Sequence, residues 1–341
     1  MEKIDKKIKG FDDYQVAMSI WLPDGEPKGI VQIFHGMVEH IDRYDDFARF
    51  LNSKGYIVAG DDHRGHGRTA GEEFLGKVPF GHTYFDTIDD EKVITAYLKK
   101  TYSNLPIFIF AHSYGSFLGQ GYIQQNSQNI DGCILSGSAN MSGIEPKIGR
   151  TIANIQHKLY GKDKNAEFIK NMTFGAYEKP FKKEKRQNAW LNRDIDACEK
   201  YNSDKFCNYT MSVGFYKNFF DGLCRIYEPE RLAAIDKNLP IYIVSGDKDP
   251  VGKMGKLVSK LYDLYKGIGI KGVKIKLYED ARHEIVNEVN KDEVYADVVT
   301  WLDELVENRQ PAREVEMEID GGAVADIVEV NGEEEVLVGA R

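Results

Sequence analysis

The feature that most constrains the fold of this chain is a repeated alternation of short apolar segments with longer segments of helical periodicity. Each apolar segment is bounded by Gly, Pro or Asp, as strands often are. Strands that alternate with helices build a mostly parallel, twisted sheet with helices on both faces. The sequence therefore predicts an α/β fold with strands at residues 30–34, 56–59, 107–111, 133–135, 241–244 and 273–277.

Two further patterns define the ends of the predicted sheet. Residues 7–11 and 14–22 flank the Asp-Asp pair at 12–13, which predicts an antiparallel hairpin before the first parallel strand. In the last segment, 273–277, apolar residues alternate with lysines, so we expect this strand to lie near an edge of the sheet. Apolar residues at helical spacing within 294–305 predict a helix that packs on the sheet.

The length of the chain predicts more than one structural unit. A single hydrophobic core rarely grows beyond roughly 250 to 300 residues, so 341 residues predict one core and an accessory part. The alternation of strands and helices stops between 139 and 228, where Lys, Asn and aromatic residues are frequent. We predict an α/β core at 1–138 and 229–310, with a mainly helical cap inserted at 139–228. The acidic residues 311–341 are expected to form a flexible tail.

The distribution of charge bears on the partners of the chain. The formal net charge is −9, and nine acidic against two basic residues place −7 of it within 313–341. Nucleic acid is not an expected partner, because binding a phosphate backbone requires a basic surface. The cap differs from the rest of the chain, since sixteen basic and eleven acidic residues give it +5. We therefore consider the cap a candidate for steering an anionic ester substrate or for transient contact with an anionic membrane surface.

The first residues and the cysteines indicate the compartment. Residues 1–7 are charged and are not followed by the apolar segment that a secretion signal needs. No apolar run approaches the roughly 18 residues that a membrane span requires. The four cysteines are scattered without a CxxC pair, which predicts neither a disulfide framework nor a zinc knuckle. We expect a cytoplasmic protein with free thiols.

A candidate nucleophile follows the third predicted strand of the parallel set. There the sequence reads Ala111-His112-Ser113-Tyr114-Gly115 and then continues into a helix. In such a strand-turn-helix, small residues two before and two after the serine permit a sharp turn that exposes the hydroxyl. Ser113 is therefore the predicted nucleophile. A serine hydroxyl needs a base to remove its proton, so a histidine and an orienting carboxylate are expected further along the chain.

Two later segments supply these partners. Asp247 and Asp249 follow the strand at 241–244, and the sequence pattern alone does not choose between them. His283 follows the last strand. In a parallel sheet, catalytic groups gather beyond the carboxyl ends of the strands, and the chain order Ser, Asp, His is the one found with this kind of turn. The sequence predicts a triad of Ser113, His283 and one of the two aspartates.

The loop at 35–40, with the sequence HGMVEH, is the predicted oxyanion site. It follows a strand end and leads through a glycine into a helix. Ester hydrolysis needs backbone N–H groups aimed at the developing oxyanion, each of which contributes roughly 3 to 4 kcal/mol. The N–H groups of Met37 and Tyr114 are the predicted donors.

Several of these motifs together resemble a known family. HGMVEH at 35–40, DHRGHG at 62–67 and HSYG at 112–115 are similar to the motifs of the monoacylglycerol lipase and lysophospholipase group of α/β-hydrolases, over residues 10–310. The resemblance implies an α/β-hydrolase fold in which the first loop carries the oxyanion donor and the second supports the site. It also implies that Asp249 is the triad acid. We accordingly expect five residues to support the site: His35, Gly36, Arg64, His112 and Gly115.

Two features qualify the resemblance. Ala111 stands where the family usually has the first glycine of the turn, and alanine is small enough to fit. Histidine pairs at 35 and 40 and at 63 and 66 raise the question of a metal, but no HExxH motif is present. We therefore expect no catalytic metal and no cofactor, and we expect His63 and His66 to hydrogen-bond the loops around the site.

The predicted function is the hydrolysis of carboxylic esters through an acyl-enzyme. The resemblance implies lipid monoesters, monoacylglycerol or lysophospholipid, as the small-molecule substrates. The alternatives on the same fold are a general short-chain carboxylesterase and an aminopeptidase, which matched ester and aminoacyl-amide substrates would separate. A ligand-binding homologue without turnover is the alternative from another class, and it would not react with a fluorophosphonate.

Overall fold

The computed structural model describes residues 1–78 and 83–309, together with the backbone of residues 330–331 and 334–335. Within residues 1–309 eight strands form one sheet. Their bounds are β1 (Glu2–Lys9), β2 (Gln15–Leu22), β3 (Gly29–Phe34), β4 (Tyr56–Asp61), β5 (Ile107–His112), β6 (Gly132–Ser136), β7 (Ile241–Gly246) and β8 (Val273–Tyr278). The six strands that the sequence predicted after the hairpin are all present, each slightly longer than predicted.

The sheet has the strand order β1-β2-β4-β3-β5-β6-β7-β8. The pairs β1–β2 and β2–β4 are antiparallel, and every pair from β4 to β8 is parallel. The carboxyl ends of β3 to β8 therefore meet at one edge of the sheet, where catalytic groups are expected. Strand β8 lies at the end of the sheet, so the predicted edge strand is confirmed.

The hairpin differs from its prediction at the first strand. The prediction began this strand at residue 7, but β1 begins at Glu2 and pairs along its whole length with β2. Ile4 lies opposite Ile20 and Ile8 opposite Val16, so the apolar alternation runs through the charged residues at the start of the chain. Residues Phe11–Asp13 form a short 3₁₀ turn rather than strand.

Eleven helices lie within residues 1–78 and 83–309. Their bounds are α1 (Asp45–Ser53), α2 (Gly67–Phe74), α3 (Thr83–Thr101), α4 (Tyr114–Asn126), α5 (Glu145–Tyr160), α6 (Glu167–Glu178), α7 (Ile195–Ser203), α8 (Val213–Arg225), α9 (Pro229–Ala233), α10 (Lys256–Gly267) and α11 (Lys291–Glu307). Helix α11 confirms the helix predicted at 294–305, and Val294, Val298 and Trp301 on its apolar face are buried.

Hydrophobic cores cover both faces of the sheet. Strand β5 shows the alternation most clearly, because Ile107 and Ile109 face one core while Phe108 and Phe110 face the other. The first core includes residues of α3, α4 and α10, and the second includes residues of α1 and α11. This arrangement is the predicted α/β fold, with a mostly parallel sheet between helical layers.

The segment between β6 and β7 contains α5 to α9 and no strand of the sheet. Helix α5 packs on α8, where Gly149 lies against the ring of Phe220. We call residues 139–228 the cap, and its boundaries stay a prediction. The predicted flexible tail at 311–341 lies outside the described residues, apart from the paired pieces Val330–Asn331 and Glu334–Glu335. Among the helices of the described residues, none combines the length and apolarity that a membrane crossing requires.

Candidate active site

Ser113 lies in the turn that joins β5 to α4. Its backbone has φ 52° and ψ −116°, a sparsely populated conformation that the sharp strand-turn-helix imposes. A Cβ at position 115 would lie 2.2 Å from the carbonyl oxygen of Phe34, so only glycine fits there. Ser113 is half-exposed and lines a cavity at the carboxyl edge of the sheet.

His283 and Asp249 lie together beside this serine. His283 Nδ1 is 3.0 Å from Asp249 Oδ2, and Asp249 also accepts hydrogen bonds from Ser245 Oγ at 2.9 Å and from the Val251 N–H at 2.8 Å. His283 Nε2 is buried and meets no hydrogen-bonding atom of the described residues. Because Nδ1 donates to the carboxylate, Nε2 carries the lone pair and can accept a proton. Ser113 and His283 line the same small cavity.

The protonated form of His283 is more favourable in the protein than it would be in water. Burial by itself would lower the pKa of His283, but the carboxylate of Asp249 outweighs burial and raises this pKa. An imidazole held in this way is a stronger base, which is what removal of a proton from a serine hydroxyl requires.

The structure separates the two aspartates that the sequence pattern left open. Asp249 is fully buried against His283, whereas Asp247 Oδ2 lies 3.0 Å from Nζ of the exposed Lys248. Only Asp249 is thus in a position to orient the histidine.

The two predicted oxyanion donors lie at the same cavity as Ser113. Tyr114 is the first residue of α4, so its N–H has no carbonyl partner within the helix. Met37 follows Gly36, whose N–H donates to Oε1 of Glu39. This bond holds the loop in a tight conformation around the Met37 peptide.

His35 and His112 support the site from below. His35 Nε2 accepts a hydrogen bond of 2.9 Å from the His63 N–H, so Nδ1 carries the hydrogen and donates to the Gly36 carbonyl at 2.7 Å. The ring of His112 lies 4.8 Å from that of His283, and burial lowers the pKa of His112 to about 3. A neutral His112 adds no positive charge next to the triad.

Arg64 is the predicted supporting residue that the structure does not bring to the serine. It donates to both carboxylate oxygens of Asp90, at 2.6 and 2.9 Å, and to the carbonyl of Phe11 at 2.7 Å. These bonds join the β1–β2 turn to α3. A buried guanidinium needs a bidentate carboxylate, and Asp90 supplies it away from the catalytic edge.

A buried charge network beside the site was missed by the sequence reasoning. Arg43 contacts Glu284 at 2.5 and 2.9 Å and also contacts Glu39, which holds the oxyanion loop. Asn192 of the cap donates to Glu284 at 3.2 Å. Burial by itself would raise the pKa of Glu284, but Arg43 outweighs burial and lowers it to about 2. The i,i+4 spacing of Glu39 and Arg43 was the available sequence signal.

Two cavities of unequal size meet at Ser113. The larger has a volume of about 490 Å³ and is walled mainly by apolar side chains of the cap and α4, among them Phe117, Met172, Phe219 and Leu223. The smaller has a volume of about 30 Å³, and its lining includes Glu39, Trp190, His283 and Glu284. His283 lines the smaller cavity and not the larger.

The family model of the serine aminopeptidase S33 hydrolases matches residues 25–290. The chain belongs to this family. This S33 hydrolase is similar over most of its length to curated proteins. It is 24% identical over 303 residues to the monoacylglycerol lipase of Mycolicibacterium smegmatis, covering 87% of this chain and 96% of that protein. It is 25% identical over 285 residues to the monoglyceride lipase of Mus musculus, covering 83% and 84% respectively.

Solved structures agree with the sequence relatives. A thermostable carboxyl esterase from Bacillus coagulans, in complex with glycerol, superposes with a TM-score of 0.82 at 28% identity and covers 90% of this chain and 99% of that one. A soluble variant of monoglyceride lipase from Saccharomyces cerevisiae, at 19% identity and a TM-score of 0.70 over 89% of this chain and 96% of that one, shows the same fold. These matches place the chain among the ester hydrolases of the α/β-hydrolase fold, as the sequence predicted.

Proposed function

We propose that this protein hydrolyses lipid monoesters of the monoacylglycerol class through an acyl-enzyme on Ser113. The observation that carries the proposal is the large apolar cavity that opens at this serine, with a small cavity of mixed polarity next to it on the side of His283. A monoester with one long acyl chain matches the large cavity in size and polarity, and its alcohol head would extend from the carbonyl toward the side of His283.

The reaction follows from the positions of the groups. His283 Nε2 takes the proton of Ser113, and the serine oxygen attacks the ester carbonyl. The N–H groups of Met37 and Tyr114 stabilise the oxyanion. His283 then gives its proton to the leaving alcohol, and a water molecule, activated by the same histidine, releases the fatty acid and restores Ser113. Asp249 orients His283 and stabilises its imidazolium throughout.

The acyl chain belongs in the large cavity. Apolar side chains dominate its wall, and each buried CH₂ group contributes about 0.8 kcal/mol, a factor of roughly four in binding. Binding energy gained along the chain can stabilise the transition state at the carbonyl. Catalytic efficiency is therefore expected to increase with acyl length until the cavity is filled.

The small cavity favours a neutral alcohol. Two carboxylates, Glu39 and Glu284, line it, and both are already paired with Arg43. Among the described residues that line this cavity there is no lysine or arginine. A phosphate would meet negative charge there, whereas hydroxyl groups can donate to carboxylate oxygens. Of the two lipid monoesters that the sequence left open, this argument supports monoacylglycerol over lysophospholipid.

A matched substrate series tests the proposal. We expect kcat/KM on nitrophenyl esters to increase by up to about fourfold per added CH₂ group through medium chain lengths. We also expect a monoacylglycerol to be hydrolysed at least tenfold more efficiently than lysophospholipids with the same acyl chain. A maximum at the shortest ester would support the general carboxylesterase. Turnover of aminoacyl amides instead of esters would support the aminopeptidase, and no turnover at all would support a binding protein.

Helix α5 of the cap has apolar residues on two different sides. Its inner side, with Gly149 and Ala153, is buried against α8. On the outer side a stripe of large apolar residues at helical spacing is 49% to 66% exposed: Ile144, Ile148, Ile155 and Leu159. A water-exposed stripe of this kind indicates a surface that is covered during function.

We propose that this stripe contacts the lipid surface that carries the substrate. Ile148 of the stripe and the half-exposed Met172 of α6 also line the large cavity, so the stripe continues into the acyl site. The exposed Lys147 and Lys158 flank the stripe, as basic residues do on helices that bind anionic membranes. The continuity and the charge support a lipid surface as the partner, in preference to a second copy of the chain.

Vesicle binding of a double variant tests this contact. Ile155→Asp with Leu159→Asp is expected to lower binding to anionic vesicles by about tenfold or more, because it puts two charges into the apolar stripe. Hydrolysis of a water-soluble nitrophenyl ester should be unchanged, since neither residue lines the cavity. Val289→Asp, at an equally exposed apolar residue outside the cap, is the control. Unchanged vesicle binding, or a wild type that is dimeric until the double substitution makes it monomeric, would contradict the lipid contact.

A further inference from the structure

A second cluster of chemically competent side chains lies beneath the oxyanion loop. Asp61 at the end of β4, His63 and Glu91 of α3 are all fully buried, and their ligand atoms lie within 4.8 Å of one another. The ring of His63 stacks on that of His35 with centroids 3.9 Å apart. The cluster is not part of the reaction described above, because none of its residues lines either cavity at Ser113.

The contacts within this cluster are short, but their geometry is poor for hydrogen bonds. His63 Nδ1 lies 2.9 Å from Asp61 Oδ1 and 3.1 Å from Glu91 Oε1. Yet all three atoms, and also Asp61 Oδ2, make no geometrically acceptable hydrogen bond with the described residues. One N–H could satisfy only one of two flanking oxygens, so a proton on Nδ1 explains the arrangement poorly.

A metal ion explains these distances directly. Ligand atoms that bind one ion at about 2.0 to 2.2 Å lie about 3 Å from one another. The donor set of one imidazole and two carboxylates suits a divalent transition metal such as Zn²⁺ or Mn²⁺. With a neutral histidine, the charges of the two carboxylates and a divalent cation sum to zero, which a fully buried site requires.

The surroundings hold one of these ligands in place. The other carboxylate oxygen of Glu91, Oε2, accepts a hydrogen bond of 2.6 Å from Gln32 Nε2. Gln32 Oε1 in turn accepts one of 2.7 Å from Thr95 Oγ1. Such bonds orient the carboxylates that bind metals in proteins. They leave Oε1 of Glu91 directed at His63.

We propose that Asp61, His63 and Glu91 bind a structural divalent transition-metal ion, with Zn²⁺ as the probe. The ion would enter during folding, since the three side chains have no exposed surface. The ion would stabilise the structure and take no part in catalysis. The expectation from the sequence, that there is no catalytic metal, does not bear on it. Because the backbone N–H of His63 donates a hydrogen bond to His35, the ion would also stiffen the loop that carries Met37.

The metal content of the full-length protein tests this proposal. The protein is produced without a histidine tag in defined medium with or without added Zn²⁺, and its metals are measured by mass spectrometry after dialysis. We expect about one Zn²⁺ per chain from the supplemented medium, and a melting temperature at least about 4 °C above that of the zinc-poor sample. Less than a tenth of an equivalent of any transition metal, with equal melting temperatures, would overturn the proposal.

Two variants locate the ion. Glu91→Gln keeps the size of the side chain and removes its charge, so it should lose the ion and the effect of zinc on the melting temperature. If the cluster instead holds protons, burial, which raises the pKa of Glu91, favours the protonated carboxyl, and the glutamine would change little. Cys207→Ser is the control, because His40, Asp204 and Cys207 form a separate group of possible ligands. Loss of zinc in Cys207→Ser but not in Glu91→Gln would overturn the assignment. If Glu91→Gln does not fold, the comparison of the two wild-type samples decides.

Discussion

Replacing Ser113 with alanine should reduce kcat for a nitrophenyl ester by about 10⁶-fold, the largest effect of any single change in this protein. The hydroxyl of Ser113 forms the acyl-enzyme in the proposed mechanism, and alanine leaves no side-chain nucleophile there for His283 to activate. The remaining oxyanion donors can still stabilise a transition state with water as the nucleophile, so a small residual rate is expected.

The measurement compares wild type, Ser113→Ala and Ser203→Ala at equal concentrations. Ser203 is exposed on α7 of the cap, and its substitution controls for the loss of a serine hydroxyl as such. Labelling with a fluorophosphonate, followed by peptide mass spectrometry, should modify Ser113 in the wild type and in Ser203→Ala only. Substantial turnover by a well-folded Ser113→Ala protein would contradict the assignment of the nucleophile.

The second large effect is expected when the carboxylate of Asp249 is replaced. Asp249→Asn should lower kcat by about 10⁴-fold, because an amide stabilises neither the required tautomer nor the imidazolium of His283. Asp247→Asn is a matched control two residues away, and it should stay within about twofold of wild type since Asp247 contacts Lys248 instead. Equal losses in the two variants, or the larger loss in Asp247→Asn, would contradict the triad proposed here.

The same pair of variants predicts a change in pH dependence. Wild-type kcat/KM should decrease as the pH falls through the pKa of His283, because the imidazolium cannot accept the serine proton. Asp249 raises this pKa, so removing its charge lowers the pKa and moves the acid limb of the profile to lower pH. Profiles from about pH 4.5 to 8 measure the shift, which should be absent in Asp247→Asn.

Local patterns in the sequence were sufficient to predict the sheet and the sharp turn that carries Ser113. Strands β3 to β8 lie where apolar segments predicted them, because burial on both faces requires a continuous apolar run. The turn at Ser113 is marked in the sequence by the small residues Ala111 and Gly115, although the atom that leaves no space for a side chain at Gly115 is the carbonyl oxygen of the distant Phe34. Both patterns extend over only a few residues, so a single sequence displays them.

Long-range contacts were decided by the tertiary structure alone. Arg43 and Glu284 are 241 positions apart in the chain, and no local pattern pairs them. Arg64 belongs to a motif that indicated the active site. Its partner Asp90, however, lies on α3 and holds Arg64 away from Ser113.

The shape of the proposed substrate site also depends on contacts between distant parts of the chain. Its two cavities exist only where cap helices approach the carboxyl edge of the sheet. The sequence by itself thus indicated the candidate residues for the chemistry, because short motifs of neighbouring residues mark them. Which side chains meet, and what space they leave for a substrate, was decided by the packing of elements that are distant in the chain.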